Sequence, residues 1–291
     1  MRDVKGKTAV VTGAASGIGF ALCQVFSREG MNVVMADIEE DALNDALSQI
    51  KSSGSNAIAV VTDVIKSESV QALADKSFES FGNVHILCNN AGVGIKEAAR
   101  PIWTLTPNDW SWGYGVNVTG VVNGIRAFVP RMIENDEEGH VINTVSSNGT
   151  YISLPTTPIY ASTKAAVTSL TEVMYQQFAN NNTKLKASVM LPGPYWINKS
   201  KILISQRNRQ AEFQDDTVVE DYGSIEDIRK AALGEVAEDF PTTEPIEIAE
   251  YTFKGICEGS FWIRPELFES GEKIQDRMES MLNATNPQII G

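Results

Sequence analysis

Residues 8–19 read TAVVTGAASGIG, a β-branched run followed by glycines at positions 13, 17 and 19. The run predicts a buried strand, and the residues after the glycines predict a helix. Gly13 allows a sharp turn, Gly17 lets the backbone approach a pyrophosphate, and Gly19 permits close packing of helix on strand. The segment therefore predicts a phosphate-binding loop in which the helix N-terminus offers free N–H groups to an anion.

Asp37 ends the second predicted strand, 18 residues after Gly19. A carboxylate at this point accepts hydrogen bonds from the adenosine ribose hydroxyls and repels a 2′-phosphate. The glycine loop contains no arginine or lysine, and Asp37 is followed by Ile-Glu-Glu, so no cation is expected there to hold an extra phosphate. The sequence therefore favours NAD over NADP. Capping of the next helix by Asp37 is the alternative interpretation, but it does not explain the conjunction with the glycine loop.

Short apolar runs alternate with amphipathic stretches along the chain. This alternation predicts βαβ units, with a mainly parallel sheet and helices on both of its faces. Seven strands are predicted, at residues 8–12, 31–37, 56–62, 84–90, 140–146, 185–191 and 261–263. Helices are predicted at residues 17–29, 39–52, 67–81, 107–134, 159–180, 246–258 and 266–282.

One domain is predicted for residues 1–291, because no linker or repeat divides the nucleotide-binding and catalytic core at 1–193. Residues 194–245 are polar and mixed in charge and are expected to form a substrate-binding lid, since a loop this long in a compact domain is usually functional. Residues 246–291 are expected to supply a closing helix, the last strand and a C-terminal helix.

The composition excludes several classes of protein. A net charge of -13 over 291 residues argues against nucleic acid as a partner, because such proteins carry a basic surface. No apolar stretch approaches the roughly 18 residues of a membrane span, and the N-terminal residues lack the apolar region of a signal peptide. A soluble, cytoplasmic protein is expected. The three cysteines form no C-x-x-C pair and suggest neither a disulfide framework nor a metal site.

Residues 146–164 read SSNGTYISLPTTPIYASTK, without a histidine or a carboxylate. Tyr160 and Lys164 are four residues apart in a predicted helix, so they share one face. An ammonium group near a phenol favours the phenolate, so Lys164 is expected to lower the pKa of Tyr160. Ser146 and Ser147 end the preceding strand with side chains on opposite sides, and this alternation alone does not say which serine faces the tyrosine.

Several motifs together resemble the short-chain dehydrogenase/reductase family, in its shorter, non-extended branch. They are T-G-x-x-x-G-I-G at 12–19, Asp63 after the third strand, NNAG at 89–92, Asn117, the serine pair thirteen residues before YASTK, and Pro192-Gly193. The resemblance covers residues 6–195 and 244–263. It implies a Rossmann-type doubly wound α/β fold and an NAD-dependent alcohol dehydrogenase or ketoreductase.

The family implies roles for four catalytic residues. Tyr160 would be the general base in alcohol oxidation or the acid in ketone reduction. Ser147, which the thirteen-residue step selects over Ser146, would hydrogen-bond the substrate oxygen. Lys164 would hold the nicotinamide ribose, and Asn117 would support a water in a proton relay.

The family also implies which residues contact the cofactor. Asp63 and Val64 would meet the adenine, NNAG would line the adenosine ribose, and the Pro-Gly pair would lie against the nicotinamide. The whole predicted set is Gly13, Ser16, Gly17, Ile18, Gly19, Asp37, Ile38, Asp63, Val64, Asn90, Ala91, Gly92, Tyr160, Lys164, Pro192 and Gly193.

The sequence departs from the family pattern at two places. Ile197 stands where the family usually has a threonine after Pro-Gly, which leaves Asn198 as the candidate for the nicotinamide carboxamide contact. His85 stands where an aspartate is frequent, and this change is expected to concern local packing.

Apolar side chains recur in the loops that follow the strands and predict a hydrophobic pocket for a bulky secondary alcohol or ketone. The alternative is that they pack the lid onto the core. These side chains are Trp103, Tyr151, Ile152, Tyr195 and Trp196.

The segments GVVNGIRAFVPRMI and FWIRPELFESGEKIQDRM resemble bacterial Cα-dehydrogenases that oxidise aryl-ether secondary alcohols. Steroid, terpene and other alicyclic alcohols are comparably consistent with the sequence. By family analogy, the helices at 107–134 and 159–180 would pair between subunits and give a homodimer or homotetramer. The competing functions are an NAD-using sugar-nucleotide epimerase or dehydratase and a non-catalytic dinucleotide-binding scaffold.

Overall fold

A computed structural model describes residues 1, 3–95, 97, 100–193, 196–197, 202–215, 242–265 and 271–287. Seven strands form one sheet in which every neighbouring pair is parallel. The strands, numbered with two short ones outside this sheet, are β1 (Thr8–Thr12), β2 (Asn32–Asp37), β3 (Ala57–Val61), β4 (Ile86–Asn89), β5 (Gly139–Thr144), β6 (Leu185–Met190), β7 (Trp196–Ile197), β8 (Thr242–Thr243) and β9 (Trp262–Ile263).

The strand order in the sheet is β3-β2-β1-β4-β5-β6-β9. The chain moves outward from β1 to β3 and then returns to place β4 on the other side of β1. The order reverses at this point, so the loops that leave β1 and β4 diverge and open a cleft at the carboxyl ends of the strands. The doubly wound topology predicted from the sequence is confirmed.

Helices cover both faces of the sheet. Val10 and Val11 in β1 are both fully buried, in hydrophobic clusters on opposite faces, which explains why the strand reads as an unbroken apolar run. The helices are α1 (Gly17–Arg28), α2 (Glu40–Ser52), α3 (Ser67–Phe81), α4 (Pro107–Tyr114), α5 (Gly120–Glu134), α6 (Ser147–Thr150), α7 (Pro158–Asn180), α8 (Pro245–Glu258) and α9 (Gly271–Leu282).

The helix predicted over 107–134 is interrupted. A π-helical turn at Gly115–Thr119 separates α4 from α5, and such turns often lie at functional sites. The short helix α6 and the pair β7–β8 were not predicted, since elements of two to four residues leave no readable period. Of the C-terminal helix predicted at 266–282, residues 266–270 lie outside the described part, as does much of the predicted lid.

His85 ties two strands together at their N-terminal ends. Its Nδ1 accepts the N–H of Thr8 at 3.1 Å, and its Nε2 lies 2.9 Å from Glu137 Oε2. The departure from the family pattern at this position therefore concerns packing, as predicted.

Within the described ranges, none of the helices combines the length and apolar composition that crossing a membrane requires.

Candidate active site

The loop between β1 and α1 is shaped by its glycines. Gly13 has φ +68° and Gly17 has φ +55°, backbone angles that residues other than glycine rarely adopt. A Cβ on Gly19 would overlap the carbonyl oxygen of Gly13 and lie 2.7 Å from Asn90 Nδ2. Ser16 occupies the N-cap of α1 and makes no side-chain capping bond, so its helix N-terminus keeps N–H groups for an anion. The loop fits the diphosphate of a dinucleotide.

Asp37 lies beside this loop at the end of β2. Its Oδ2 accepts the N–H of Ala15 at 2.9 Å and its Oδ1 accepts the N–H of Glu39 at 3.1 Å. Burial raises the pKa of Asp37 despite these bonds. The carboxylate therefore bonds both the phosphate loop and the residue at the N-cap of α2. Its predicted contact with the adenosine ribose stays a prediction.

The loops after β1 and β4 are joined by Thr12 and Asn90. Thr12 Oγ1 accepts the N–H groups of Asn90 and Ala91, each at 3.0 Å. Asn90 Nδ2 donates to the Thr12 carbonyl at 3.0 Å, and Thr144 Oγ1 donates to Asn90 Oδ1 at 3.2 Å. Sequence reasoning found Asn90 but missed both threonines, which hold the two walls of the cleft at a fixed separation.

Asn117 lies in the π turn and bonds the loop after β4. Its Oδ1 accepts the N–H of Val93 at 2.8 Å, and its Nδ2 donates to Val93 O at 3.0 Å and to Thr163 Oγ1 at 3.1 Å. Asn117 thus joins α4–α5, the β4 loop and α7 beneath the cleft.

Tyr160 and Lys164 share one face of α7, as predicted. Lys164 is 3% exposed; its Nζ donates to the Thr144 carbonyl at 2.9 Å and lies 5.5 Å from the Tyr160 ring centroid. Burial lowers the pKa of Lys164 to about 8. Burial also raises the pKa of Tyr160 to about 12. In the ligand-free protein the pKa of Tyr160 therefore lies above its ordinary value, contrary to the predicted lowering, and burial is the largest cause.

Ser146 is the serine whose side chain affects the phenol of Tyr160: it lowers the pKa of Tyr160 against the larger effect of burial. Its Oγ accepts the N–H of Asn148 at 3.2 Å as the N-cap of α6. Ser147 lies inside α6. The choice of Ser147 from the sequence stays a prediction. Gly149, at φ +104°, departs from helical geometry, so a residue count through this loop does not decide between the two serines.

Glu97 is a site residue that the sequence analysis missed. It is fully buried, and its two oxygens accept the N–H groups of Ile159 at 2.6 Å and Tyr160 at 3.0 Å. These are N–H groups of the first turn of α7, where Thr157 makes no side-chain capping bond. Glu97 therefore caps the helix that carries Tyr160 from a loop 62 residues earlier.

Burial of Glu97 has an electrostatic consequence. It raises the pKa of Glu97 to about 7; the charge of Asp109 acts in the same direction, whereas Arg100 and the two backbone N–H groups oppose it. The Glu97 charge in turn raises the pKa of Tyr160. The carboxyl group thus changes its ionisation near neutral pH beside the phenol.

Replacing Glu97 by Gln should change the pH dependence of stability. The folded-state pKa of Glu97 lies above that of an unfolded chain, so the folded protein is penalised as pH rises from about 4.5 to about 7. Glu97→Gln removes this penalty, at most about 3 kcal/mol. Its melting temperature relative to the wild type should therefore rise between pH 5 and pH 8 in thermal unfolding. Glu247→Gln, an exposed change in the first turn of α8, is the control, and parallel curves for the two variants would contradict the prediction.

The cleft encloses a cavity of about 190 Å³. It brings together most of the predicted cofactor residues with both members of the Tyr-Lys pair. The predicted residues that line it are Gly13, Ser16, Gly17, Ile18, Asp37, Ile38, Asp63, Val64, Asn90, Ala91, Gly92, Tyr160, Lys164 and Pro192. Gly19, Asn117, Ser147 and Gly193 are not among the lining residues. Gly19 and Asn117 support the cleft from behind.

A further set of lining residues comes from the segment 202–215, here called the strap. Arg207, Asn208 and Gln210 reach the end of the cleft that contains Asp37 and Asp63. The expectation that no cation is available there is therefore wrong. No sequence pattern links the strap to β2, so spatial proximity alone reveals it.

The predicted aromatic pocket is not assembled in the described residues. Trp103 is 84% exposed, and Tyr151 is 6% exposed in a cluster with Val145, Val167 and Leu191. Tyr151 thus follows the packing alternative. Tyr195 and Asn198 lie outside the described residues. Apolar lining comes instead from Val93, Trp112, Val116, Val145, Ile197 and Ile202.

A doubly wound sheet, a phosphate loop and a Tyr-Lys pair on one cleft define a dinucleotide-dependent oxidoreductase. The family model for short chain dehydrogenases matches residues 7–203, more than half of the chain. The chain therefore belongs to the short-chain dehydrogenase family.

Three known proteins illustrate the similarity. A Cα-dehydrogenase of Sphingobium sp. is 31% identical over 288 residues, which are 99% of this chain and 89% of the relative. Glucose 1-dehydrogenase 2 of Bacillus subtilis is 31% identical over 239 residues, 82% and 90% of the two chains. A crystal structure of a short chain dehydrogenase/reductase from Burkholderia phymatum in complex with NAD is 33% identical, with 100% and 99% coverage and a TM-score of 0.87.

Proposed function

We propose that the protein interconverts a bulky, largely hydrophobic secondary alcohol and its ketone with NAD as cofactor. The observation that carries this proposal is that Tyr160 and Lys164 line the same cleft as Asp37, with the Ser146 side chain lowering the pKa of Tyr160. Asp37 favours a free ribose 2′-hydroxyl. The NAD complex of the Burkholderia phymatum protein supports the same cofactor.

The cofactor, when bound, accepts or gives the hydride. The chain supplies the proton transfer and the positioning. In oxidation Tyr160 Oη takes the hydroxyl proton of the alcohol, and in reduction it returns a proton to the ketone oxygen. Ser146, whose side chain lowers the pKa of Tyr160, would hydrogen-bond the same substrate oxygen. With a pKa of about 12, Tyr160 is a proton donor in the ligand-free enzyme.

Lys164 and Asn117 complete the proposed relay behind Tyr160. The Lys164 ammonium is held by the Thr144 carbonyl, and a Cβ on Gly92 would lie 3.6 Å from Lys164 Nζ and 3.4 Å from Asn117 Oδ1. Lys164 Nζ and Asn117 Oδ1 therefore both lie close to Gly92 in the cleft wall. An ammonium there can hold a ribose hydroxyl and favour the Tyr160 phenolate once substrate is bound.

The substrate class rests on the apolar lining of the cleft and on the similarity to a Cα-dehydrogenase. Because a glucose dehydrogenase is also 31% identical to the chain, membership of the family does not by itself identify the substrate. The test is NADH formation at 340 nm with aryl, alicyclic and steroid secondary alcohols, with glucose as the polar comparison. Turnover of glucose alone would overturn the hydrophobic substrate class.

Net NADH formation also separates the competing functions. An epimerase or dehydratase regenerates its NAD within each turnover, and a scaffold protein makes no NADH. The homodimer or homotetramer and the cytoplasmic location expected from the sequence belong to this proposal; sedimentation analysis tests the former and cell fractionation the latter.

The two serines give a matched pair of variants. Ser146→Ala removes the hydroxyl that lowers the pKa of Tyr160 and should lower kcat/KM by about 10²-fold or more, the scale of losing one oxyanion donor. Ser147→Ala, one residue away in α6, should change kcat/KM by less than about threefold, since this hydroxyl makes no described contact with the phenol. Initial rates at saturating NAD measure both. A larger loss in Ser147→Ala would restore the choice made from the sequence spacing.

A further inference from the structure

The strap crosses the adenosine end of the cleft and is bonded there to Glu39 and Asp63. Asn208 Nδ2 donates to Glu39 Oε1 at 2.8 Å, and Gln210 Nε2 donates to Asp63 Oδ2 at 3.2 Å. Trp112 Nε1 donates to Gln210 Oε1 at 3.1 Å and orients that amide. The strap therefore contacts the carboxyl ends of β2 and β3, where the adenosine of a dinucleotide lies in this class of fold.

Arg207 is the cation that the strap brings to this end. Its Nη2 lies 2.7 Å from Glu39 Oε1 and 2.9 Å from Glu39 Oε2. Both side chains are partly exposed, at 38% for Arg207 and 27% for Glu39. Among the described lining residues, Arg207 is the only guanidinium, and the other cation, Lys164, belongs to the catalytic end. The Arg207 guanidinium could bind a 2′-phosphate, but it is already paired with Glu39.

Arginine is suited to both partners. Its planar fork binds carboxylates and phosphates with the same bidentate geometry. Glu39 and a 2′-phosphate on the adjoining ribose would therefore compete for one guanidinium. Glu39 adds its own negative charge two residues from Asp37, which repels the same phosphate.

We propose that Glu39 is a second determinant of cofactor choice, which acts by holding Arg207 away from the 2′-position of the adenosine ribose. The inference rests on the dinucleotide site of the proposed function. It assigns the preference for NAD to two carboxylates with different roles. Asp37 repels the 2′-phosphate from the cleft wall, and Glu39 occupies the group that could attract it.

The test measures binding of two probes of the adenosine half alone, AMP and adenosine 2′,5′-bisphosphate, by isothermal titration calorimetry. Glu39→Gln frees Arg207 and removes one charge, so it should bind the bisphosphate about tenfold more tightly, the scale of one charge-assisted contact. AMP affinity should change less than about twofold. Glu40→Gln removes the same charge one residue further on, at an exposed position of α2, and should leave both affinities within about twofold.

The double variant Glu39→Gln/Arg207→Met shows whether the gain depends on the guanidinium. It should return the bisphosphate affinity to the wild-type value. Equal gains in Glu39→Gln and Glu40→Gln would reduce the effect to net charge and overturn the inference. If the double variant kept the gain in bisphosphate affinity, the inference would be overturned as well.

The probes separate this inference from the dinucleotide site itself. Glu39→Ala repeats the test should the glutamine variant melt at a lower temperature than the wild type. A wild type that binds AMP, with no bisphosphate gain in either Glu39 variant, refutes the role of Glu39 and leaves the proposed function intact. A wild type that binds neither probe refutes the site, and the inference with it.

Discussion

Tyr160→Phe should lower kcat for alcohol oxidation by about 10²- to 10⁴-fold, the range that a positioned general acid or base contributes. The phenol oxygen is the only atom removed. The ring stays in a partly buried position beside Lys164, with Nζ 5.5 Å from its centroid. The melting temperature should therefore stay close to that of the wild type, and binding of NAD should weaken by less than about threefold. NADH formation at 340 nm and a cofactor titration measure the two effects separately.

Tyr175→Phe is the matched control, because Tyr175 lies on the same helix but is exposed. It removes the same oxygen far from the cleft and should retain full activity. If Tyr160→Phe kept more than a tenth of the wild-type kcat, the assignment of the proton transfer to Tyr160 would be wrong.

Gly19→Ala should abolish detectable NAD binding. The new Cβ would overlap the Gly13 carbonyl oxygen and lie 2.7 Å from both the Gly13 carbonyl carbon and Asn90 Nδ2. Two of these atoms are backbone, so α1 or the phosphate loop must shift. Overpacking of this kind costs about 1–3 kcal/mol, and a loop displaced from the diphosphate loses its directed N–H groups. Fluorescence titration with NAD and thermal unfolding measure the two losses.

Gly54→Ala separates the steric clash from backbone strain. Gly54 has φ +80° in a turn, with no atom within 4 Å of a built Cβ. Its replacement carries the left-handed strain without a clash, and should lower stability modestly while NAD affinity is unchanged. If Gly19→Ala bound NAD as tightly as Gly54→Ala, the packing argument would be wrong.

The sheet could be predicted because its signals are local. Strands such as Thr8–Thr12 are buried on both faces and read as apolar runs, and the glycine loop follows at once. Tyr160 and Lys164 could be paired because a helix fixes the relation between residues four apart. Each of these inferences uses a period or a short turn, which constrains side chains before the rest of the fold is known.

The remaining site residues could not be predicted because long-range contacts place them. Glu97 caps α7 across 62 residues, and Arg207 meets Glu39 across 168 residues. Both come from irregular segments without a repeating pattern. The choice between Ser146 and Ser147 is uncertain from sequence for a different reason, since it relies on a count through a loop that leaves helical geometry at Gly149. The pKa of Tyr160 could not be read from its neighbour alone, because burial dominates it.

The π turn at Gly115–Thr119 also fixes the rotational phase of α5. A π turn contains one residue more than the α-helical path it replaces, and each residue of an α-helix turns the chain by about 100°. Deleting one residue from this turn would give an uninterrupted helix but rotate α5 by that angle relative to α4. Val121 and Phe128, now buried, would leave the positions that face the core. The extra residue of the π turn, which contains Asn117, thus also keeps the buried face of α5 against the sheet.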